Sequence, residues 1–293
     1  MYVFPSGTSS TVARLSQEEI TEKLSEISEF LTQYKGARKR DQPIPLTLLL
    51  DLAEDPNPRV RWRAIEALGV LAKPEKTLNT MIAALQDPNS IVRWNAALAL
   101  GEIGDPLATL PLLDALEDDS KDVQEMANWA LVELGEKAVP PLLRALTHQD
   151  WWIRKKVARL LGQIGDERAT EPLIQALNDP RERIRETAAE ALGQIRGAHA
   201  VNGLIRALKD EYGYTRQNAM EALIKKGPDA VKPLIKALKH RNKAVRAIVC
   251  QALGEIGDPR AIEPLNQVKR RDPEFKVRRS AAKSLKTLRP KPA

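Results

Sequence analysis

The stretch VRWNAALALGEI (92–103) recurs along the chain at a nearly constant spacing. Segments that align with it without gaps begin at residues 60, 92, 123, 153, 184, 215, 245 and 277, so successive starts are 30 to 32 residues apart. Its first, fifth, ninth and twelfth residues, Val92, Ala96, Leu100 and Ile103, are apolar and form one stripe on a helix. A fixed period of this length indicates a repeat architecture, here with eight copies.

A second pattern lies between these segments, as in PLLDAL (111–116), PLIQAL (172–177) and PLIKAL (233–238). Each repeat is therefore predicted to be two short helices joined by turns such as IGD and DP. Gly104 can adopt the left-handed conformation that ends a helix, and Pro88 cannot continue one. One pair cannot bury its stripe alone, so neighbouring pairs must stack. We expect an all-α protein, an α-α superhelix of about eight helix pairs.

The complete unit reads D-P-x-x-x-V-R-x-x-A-x-x-A-L-G-x-I-G-D-x-x-A-x-x-P-L-x-x-A-L and is clearest across 87–116 and 179–208. It resembles the HEAT-like repeats first associated with phycobilisome lyases, and the resemblance covers about residues 44 to 288. We expect a HEAT-like solenoid over 44–289 and a tail at 290–293. Ser16 and Glu19 form a capping-box pattern that predicts a helix to about Tyr34. Residues 16–43 are thus predicted to hold an N-terminal capping helix and a basic linker, after a disordered segment at 1–15.

An arginine follows the first apolar residue of most segments, and an aspartate stands six residues before it in five of them. Such a pair could brace one turn against the next helix. We therefore predict a structural ladder rather than an anion site, formed by Asp55 with Arg61, Asp87 with Arg93, Asp179 with Arg185, Asp210 with Arg216, and Asp272 with Arg278.

All five tryptophans fall on variable positions of the repeat, away from the core stripe. Trp62 and Trp94 share one slot, and the slots of Trp62, Trp129 and Trp151 lie four residues apart in the repeat frame, hence on one helical stripe. In HEAT-like arrays the second helix of each pair usually lines the concave surface, so the resemblance implies a binding face there. The alternative is that some rings fill gaps left by alanine in neighbouring repeats.

Trp152 flanks this stripe, and cationic side chains accompany the rings. Such cations could hold carboxylates, either of a tetrapyrrole that stacks on the rings or of a partner protein, or they could only keep an aromatic patch soluble. The candidate partner- or ligand-binding residues are Trp62, Trp94, Trp129, Trp151, Trp152, Arg63, Lys155, Lys156, Arg159 and Tyr214.

Residues typical of catalysis and metal binding are scarce. The three histidines form no His-Glu dyad of the kind that ligates iron in the hydroxylases built on HEAT-like repeats, and the sequence has no phosphate-binding glycine motif. The single cysteine, Cys250, is expected to be a buried apolar residue. We predict no catalytic residues, no metal and no cofactor. No stretch approaches the ~18 apolar residues of a membrane span, so we expect a cytoplasmic protein.

Charge is unevenly distributed along the chain. Residues 1–195 contain 23 Lys and Arg against 30 Asp and Glu, whereas residues 196–293 contain 23 against 9. This asymmetry could steer different surfaces of a partner or favour head-to-tail self-association. Nucleic-acid binding through the basic C-terminal third is a lesser alternative, because single-strand readers interleave aromatic and cationic residues and this chain separates them.

Two functions therefore compete. The first is a non-catalytic scaffold or adaptor that binds another protein through its tryptophan-rich face. The second is implied by the resemblance: a subunit or relative of the bilin lyase-isomerases, which would carry a bilin as a transferred ligand. Its partners would be a phycobiliprotein or a second HEAT-like subunit. If the chain is an enzyme at all, bilin lyase is the activity that we expect.

Overall fold

The computed structural model describes residues 16–36, 46–71, 74–197 and 199–288, and these ranges contain 17 α-helices, short 3-10 turns and no strand. The segments predicted at 1–15 and 290–293 and the basic linker lie outside the described residues. The chain divides into two compact units, Met1–Lys137 and Ala138–Ala293. The periodicity of the sequence does not mark this division.

The first unit contains the N-terminal helix and three helix pairs, which are α2 with α3, α4 with α5, and α6 with α7. Their bounds are α1 (Gln17–Gly36), α2 (Leu46–Leu52), α3 (Pro58–Leu71), α4 (Pro74–Ala84), α5 (Ser90–Ile103), α6 (Thr109–Asp114) and α7 (Lys121–Leu134).

The second unit contains five helix pairs, from α8 with α9 to α16 with α17. Their bounds are α8 (Val139–Ala145), α9 (Trp151–Ile164), α10 (Thr170–Ala176), α11 (Glu182–Gln194), α12 (His199–Ala207), α13 (Gly213–Lys225), α14 (Pro228–Ala237), α15 (Lys243–Ile256), α16 (Ile262–Arg271) and α17 (Phe275–Leu288). The all-α repeat fold and the eight helix pairs that the sequence predicts are confirmed.

The predicted apolar stripe is the core of each unit. On α5, Val92, Ala96 and Leu100 are almost completely buried, whereas Ile103, the last member of the predicted stripe, is partly exposed. The helix ends as predicted at Gly104, whose φ of 67° lies in the left-handed region and whose amide donates a hydrogen bond to the carbonyl of Leu100. The periodicity of the sequence therefore predicts both the buried face and the end of this helix.

Within each unit, successive second helices approach closely through a glycine near the end of the aligned segment. A Cβ atom at Gly162 would lie 2.6 Å from the Cα atom of Ala191, and one at Gly254 would lie 2.5 Å from the Cβ atom of Ser284. The glycine of the A-L-G motif is therefore a packing residue: it lets the next helix lie against the backbone.

The arginine ladder exists, but its pairing differs from the prediction. Nε and Nη2 of Arg61 donate to both carboxylate oxygens of Asp87, at 2.6 and 2.8 Å, and Asp87 belongs to the next repeat. Asp55, six residues earlier, contributes only its backbone carbonyl, which accepts from Nη1 of Arg61 at 2.8 Å. The reason is that one guanidinium has enough N–H groups to donate both to a backbone carbonyl in its own turn and to a carboxylate of the next repeat.

The same two-sided pairing is found at further joints inside each unit. It is made by Arg93 with Asp118, Arg154 with Asp179, Arg185 with Asp210, and Arg246 with Asp272.

The short contacts in these pairs lower the pKa values of Asp272 and Asp87. The hydrogen bond from Arg246 holds the pKa of Asp272 below its ordinary value of 3.8. Burial alone would raise the pKa of Asp87, but hydrogen bonds from Arg61 and from the amide of Asn89 lower it below that value. The carboxylates therefore stay charged in the folded chain to a lower pH than in the unfolded chain.

The N-terminal helix begins with the predicted capping box. The amide of Ser16 donates to Glu19 at 2.6 Å, and the amide of Glu19 donates to Oγ of Ser16 at 3.2 Å. α1 packs against α3, and Nζ of Lys23 lies 2.5 Å from Asp55. Lys23 thus occupies the role that arginine has at the later joints, and α1 covers the first repeat as a capping element.

Candidate functional site

The predicted site residues lie on second helices of the repeats in both units. In the first unit, Trp62 and Arg63 lie on α3, Trp94 on α5 and Trp129 on α7. In the second unit, α9 carries Trp151, Trp152, Lys155, Lys156 and Arg159, and α13 carries Tyr214. The predicted stripe therefore has members in both units, and what each ring contacts decides its role.

A groove between α5 and α7 brings two of the predicted tryptophans together. We call it the α5–α7 groove; its cavity of about 490 Å³ is lined by Ser90, Ile91, Trp94, Ser120, Asp122, Glu125, Met126 and Trp129. Ile91 and Trp129 are 54% and 37% exposed. Such a volume falls within the range of about 300–1,000 Å³ that small-molecule sites occupy.

The shape of the groove depends on close helix packing. A Cβ atom at Gly101 would lie only 2.7 Å from Cζ3 of Trp129. The ring of Trp129 can therefore pack against α5 because residue 101 has no side chain. Next to Trp94 on α5, Arg93 pairs with Asp118 at 2.6 Å and also with Asp119. Trp129 thus has a packed side and an exposed side, which combines the two alternatives that the sequence left open.

The α5–α7 groove is acidic, which the sequence analysis did not anticipate. Asp122 and Glu125 are exposed on its wall. Residues 101–136 contain ten Asp and Glu but a single cation, Lys121. Charged side chains of one sign in a cleft concentrate ions of the opposite sign there.

Trp62 has a different environment in the same unit. The guanidinium of Arg63 lies 4.3 Å from the centroid of its ring, and Nη1 of Arg63 is 2.8 Å from Glu66. Arg63 therefore lies beside this ring, and it already has an aromatic and an anionic partner within the chain.

The second unit contains the tryptophan pair, defined as Trp151 and Trp152 at the start of α9. Their centroids lie 5.4 Å apart with the ring planes at 72°, an edge-to-face contact. The side chain of Asp150 caps the helix by accepting from the amide of Trp152 at 2.9 Å. Trp152 is 41% exposed, and Trp151 is half-buried.

Cations surround the tryptophan pair. Nζ of Lys155 lies 4.9 Å and Nζ of Lys156 lies 5.6 Å from the centroid of Trp152. Arg181, from the turn before α11, lies 5.8 Å from the centroid of Trp151. Both predicted lysines therefore accompany a tryptophan, and an arginine of the next repeat adds a third cation.

Two predicted site residues stand apart from the rings. Arg159 is exposed on α9, and in the described part of the chain it is not stacked on any ring. Tyr214, at 71% exposure, projects from the start of α13. Its neighbour Tyr212, which the sequence analysis did not single out, has the guanidinium of Arg185 at 4.9 Å from its ring centroid.

Reactive groups are sparse in the described residues. Cys250 is fully buried, as predicted, and burial raises its pKa to about 12. The described ranges hold no group of three or more His, Cys, Asp or Glu side chains placed to bind a metal ion. The Nδ1 atoms of His148 and His240 accept hydrogen bonds from the backbone amides of Asp150 and Asn242 at 3.0 Å, so both side chains cap exposed turns.

Among the described helices, none combines the length and the apolar composition that crossing a bilayer requires.

Sequence reasoning missed the groove residues Ile91, Met126, Asp122 and Glu125, together with Arg181. A signal for three of them is present in the alignment. Ile91, Asp122 and Trp152 occupy the same slot, one residue before the aligned segment, and Glu125 stands in the slot of Trp62 and Trp94. Reading the variable slots column by column, instead of following the tryptophans alone, finds these residues.

Comparison with known proteins places this architecture in a family. The model of the HEAT repeats matches residues 46–132, 109–193, 139–224 and 201–286. The chain belongs to the HEAT repeat family, as the repeat unit indicates. Stacked repeats of this class present extended surfaces that suit protein binding.

Several solved structures resemble the chain. The complex of CpcE and CpcF of phycocyanin lyase from Nostoc is 21% identical over 86% of this chain and 97% of that chain, with a TM-score of 0.36. Human deoxyhypusine hydroxylase is 21% identical over 93% and 99%, with a TM-score of 0.34. Importin beta is 19% identical over 83% and 41%, with a TM-score of 0.46. Likenesses at this identity concern the fold alone.

The curated proteins yield no match to this chain.

Proposed function

We propose that the chain is a cytoplasmic, non-catalytic scaffold that binds partner proteins through the tryptophan-bearing faces of its second helices. The observation that carries the proposal is that Trp129 and Trp152 keep 37% and 41% of their surface exposed. Large aromatic side chains in partly open surroundings are typical of the residues that dominate binding energy at protein interfaces. Their positions in variable slots of the repeat mean that stacking does not require them.

The surroundings of the two exposed rings support an interaction role. Ile91 and Met126 extend the apolar surface beside Trp129, and lysines flank Trp152. An apolar centre with a charged margin is the usual anatomy of an interface.

Selection from a random-peptide library displayed on phage, with the full chain immobilised, tests the proposal. We expect enriched peptides whose binding falls at least about tenfold, or about 1.4 kcal/mol, when Trp129→Ala and Trp152→Ala are combined. Leu107→Ala with Leu110→Ala is the matched control, because these leucines are 70% and 51% exposed but lie outside the tryptophan faces. Failure to enrich any peptide, or equal sensitivity to the leucine changes, contradicts the proposal.

Bilin handling is the second candidate, and the tryptophan pair is what favours it. A flat conjugated molecule with carboxylates suits an exposed indole ring with two ammonium groups within 6 Å of its centroid. Titration with phycocyanobilin, followed by absorbance and fluorescence, is the test. A red shift that Trp151→Ala and Trp152→Ala abolish would support this role, and the absence of any shift would eliminate it.

A further inference from the structure

The five tryptophans differ in whether this chain supplies a cation for the ring. Trp62, Trp151 and Trp152 each have an arginine or lysine head group within 6 Å of the ring centroid. No cation of the described ranges lies over Trp94 or Trp129. The two rings of the α5–α7 groove are therefore the ones whose attraction for a cation is left unused.

Two carboxylates of the same groove are also unpaired. Asp122 and Glu125 are exposed, and neither forms an ion pair with any residue that the structure describes. By contrast, the nearby Asp118 and Asp119 are both bound to Arg93. The groove thus offers indole faces and free negative charge together, and both attract cations.

Apolar side chains complete the complementarity. Ile91 on α5 and Met126 on α7 also line the groove, where they can contact the methylene groups of a long basic side chain while its charged end reaches a carboxylate. Methionine adapts its shape to irregular ligands. A cavity of about 490 Å³ is large enough for one such side chain and part of the backbone that carries it.

We propose that the α5–α7 groove binds an arginine- or lysine-bearing segment of a partner protein. The inference rests on the proposed scaffold function and adds the chemistry of the partner. Anionic occupants are disfavoured, because Asp122 and Glu125 repel them. The first unit as a whole has 14 Lys and Arg against 22 Asp and Glu, a net charge of −8, which steers cationic partners towards it.

The test uses fluorescence anisotropy with the full chain and a labelled nine-residue peptide that contains two arginines and one leucine. The comparison peptide has citrulline in place of each arginine, which keeps the shape and removes the charge. We expect the arginine peptide to bind at least about tenfold more tightly. Its affinity should fall as salt is added.

Variants assign the binding to the groove. Asp122→Asn with Glu125→Gln should weaken the arginine peptide about tenfold and leave the citrulline peptide unchanged. Glu18→Gln with Glu22→Gln is the matched control: it removes two exposed carboxylates from α1 in the same unit and should change neither affinity. An equal loss in this control would show non-specific attraction to an acidic protein and overturn the assignment.

The outcomes separate this inference from the scaffold function. If both peptides bind equally and Trp94→Leu weakens both, the groove is an apolar docking site, so the scaffold proposal stands and the cationic partner is wrong. If neither peptide binds, the inference fails, while the phage selection judges the scaffold function independently. We expect a monomer in light scattering; a salt-sensitive dimer lost in the Asp122→Asn, Glu125→Gln variant would make a second copy the occupant instead.

Discussion

The α5–α7 groove in the first unit and the tryptophan pair in the second unit use the same side chain in opposite electrostatic settings. In the groove, two indoles lie beside exposed carboxylates. In the pair, two indoles lie beside lysines and an arginine. The net charges of the units, −8 and +15, follow the same division.

What differs between the two regions is confined to variable slots of the repeat. The slot before the aligned segment holds Asp122 on α7 and Trp152 on α9, and the third position holds Glu125 and Lys155. The helices that carry the two surfaces share the same buried stripe and the same kind of arginine–aspartate pair. The repeat therefore keeps its packing positions constant while its exposed positions differ in charge.

Acidification should produce the largest effect, because it removes the shared ladder from both units at once. The pKa values of Asp87 and Asp272 are lowered from 3.8 in the folded chain, so the unfolded chain binds protons first as the pH falls. The stabilisation is complete well above pH 3.8 and is lost as the pH drops below it. We expect a melting temperature that is constant from about pH 5 to 7 and falls steeply under pH 3.8.

Circular dichroism melts across this range provide the measurement. The Arg246→Met variant serves as the control: it already lacks one pair and should lose less stability on acidification than the wild type. A wild-type melting temperature that stays constant to pH 3 would show that the ladder does not contribute to stability.

Removing a single ladder arginine, Arg93 on α5, should have the next largest effect. Arg93→Met leaves Asp118 without its cation at a site where both side chains are about nine-tenths buried, which should cost about 3–5 kcal/mol of the free energy of unfolding. Urea denaturation followed by circular dichroism measures the loss. Arg59→Met, at an exposed position on α3, should change stability by less than about 0.5 kcal/mol. Equal effects of the two changes would contradict the importance of this joint.

Gly101→Ala should have a smaller effect on stability, and it tests whether packing against α5 fixes the position of the Trp129 ring. Gly101→Ala forces a methyl group against the indole and against the Cα atom of Ala130, at 2.7 and 2.9 Å, and should cost about 1–3 kcal/mol. The indole N–H resonance of Trp129 should shift, and the arginine peptide should bind more weakly. Gly213→Ala is the control, because its nearest neighbour would lie at 3.7 Å. An unchanged indole resonance in Gly101→Ala would mean that the ring is not held by this contact.

The periodicity of the sequence was sufficient to predict the helix pairs and the buried stripe, because both depend on contacts that recur in every repeat. It placed the tryptophans on the second helices for the same reason. The capping box was predicted from a local pattern at Ser16 and Glu19, and the buried cysteine from its residue type. The ladder arginines were predicted to pair with aspartates of their own repeat, whereas the ion pairs of the ladder join an arginine to an aspartate of the next one. The reason is that a spacing of six residues is visible in the sequence and a contact between stacked repeats is not. Arg61 meets Asp87, 26 residues later, only after the repeats stack.

The acidic groove was missed for a related reason. It forms where Trp94 and Trp129 occupy different slots on successive helices, so no single repeat contains it. Its charge comes from Asp122 and Glu125, which are unremarkable polar residues until the fold places them beside the two rings. Surfaces built between repeats depend on which variable slots become neighbours, and that information is tertiary.

Among the substitutions tested against a control, Trp151→Ala should reduce stability the least. It tests whether the tryptophan pair of the second unit is a surface feature or part of the core. The ring is half-buried, in edge contact with Trp152 and within 5.8 Å of Arg181, so its removal should cost about 1 kcal/mol, the value of an aromatic pair. Tyr214→Ala, at a 71% exposed ring, should cost less than about 0.5 kcal/mol. Binding of the arginine peptide should be unchanged, because that peptide is assigned to the other unit. A loss above about 3 kcal/mol, typical of core rings, would make Trp151 structural and leave Trp152 as the exposed aromatic contact of the second unit's pair.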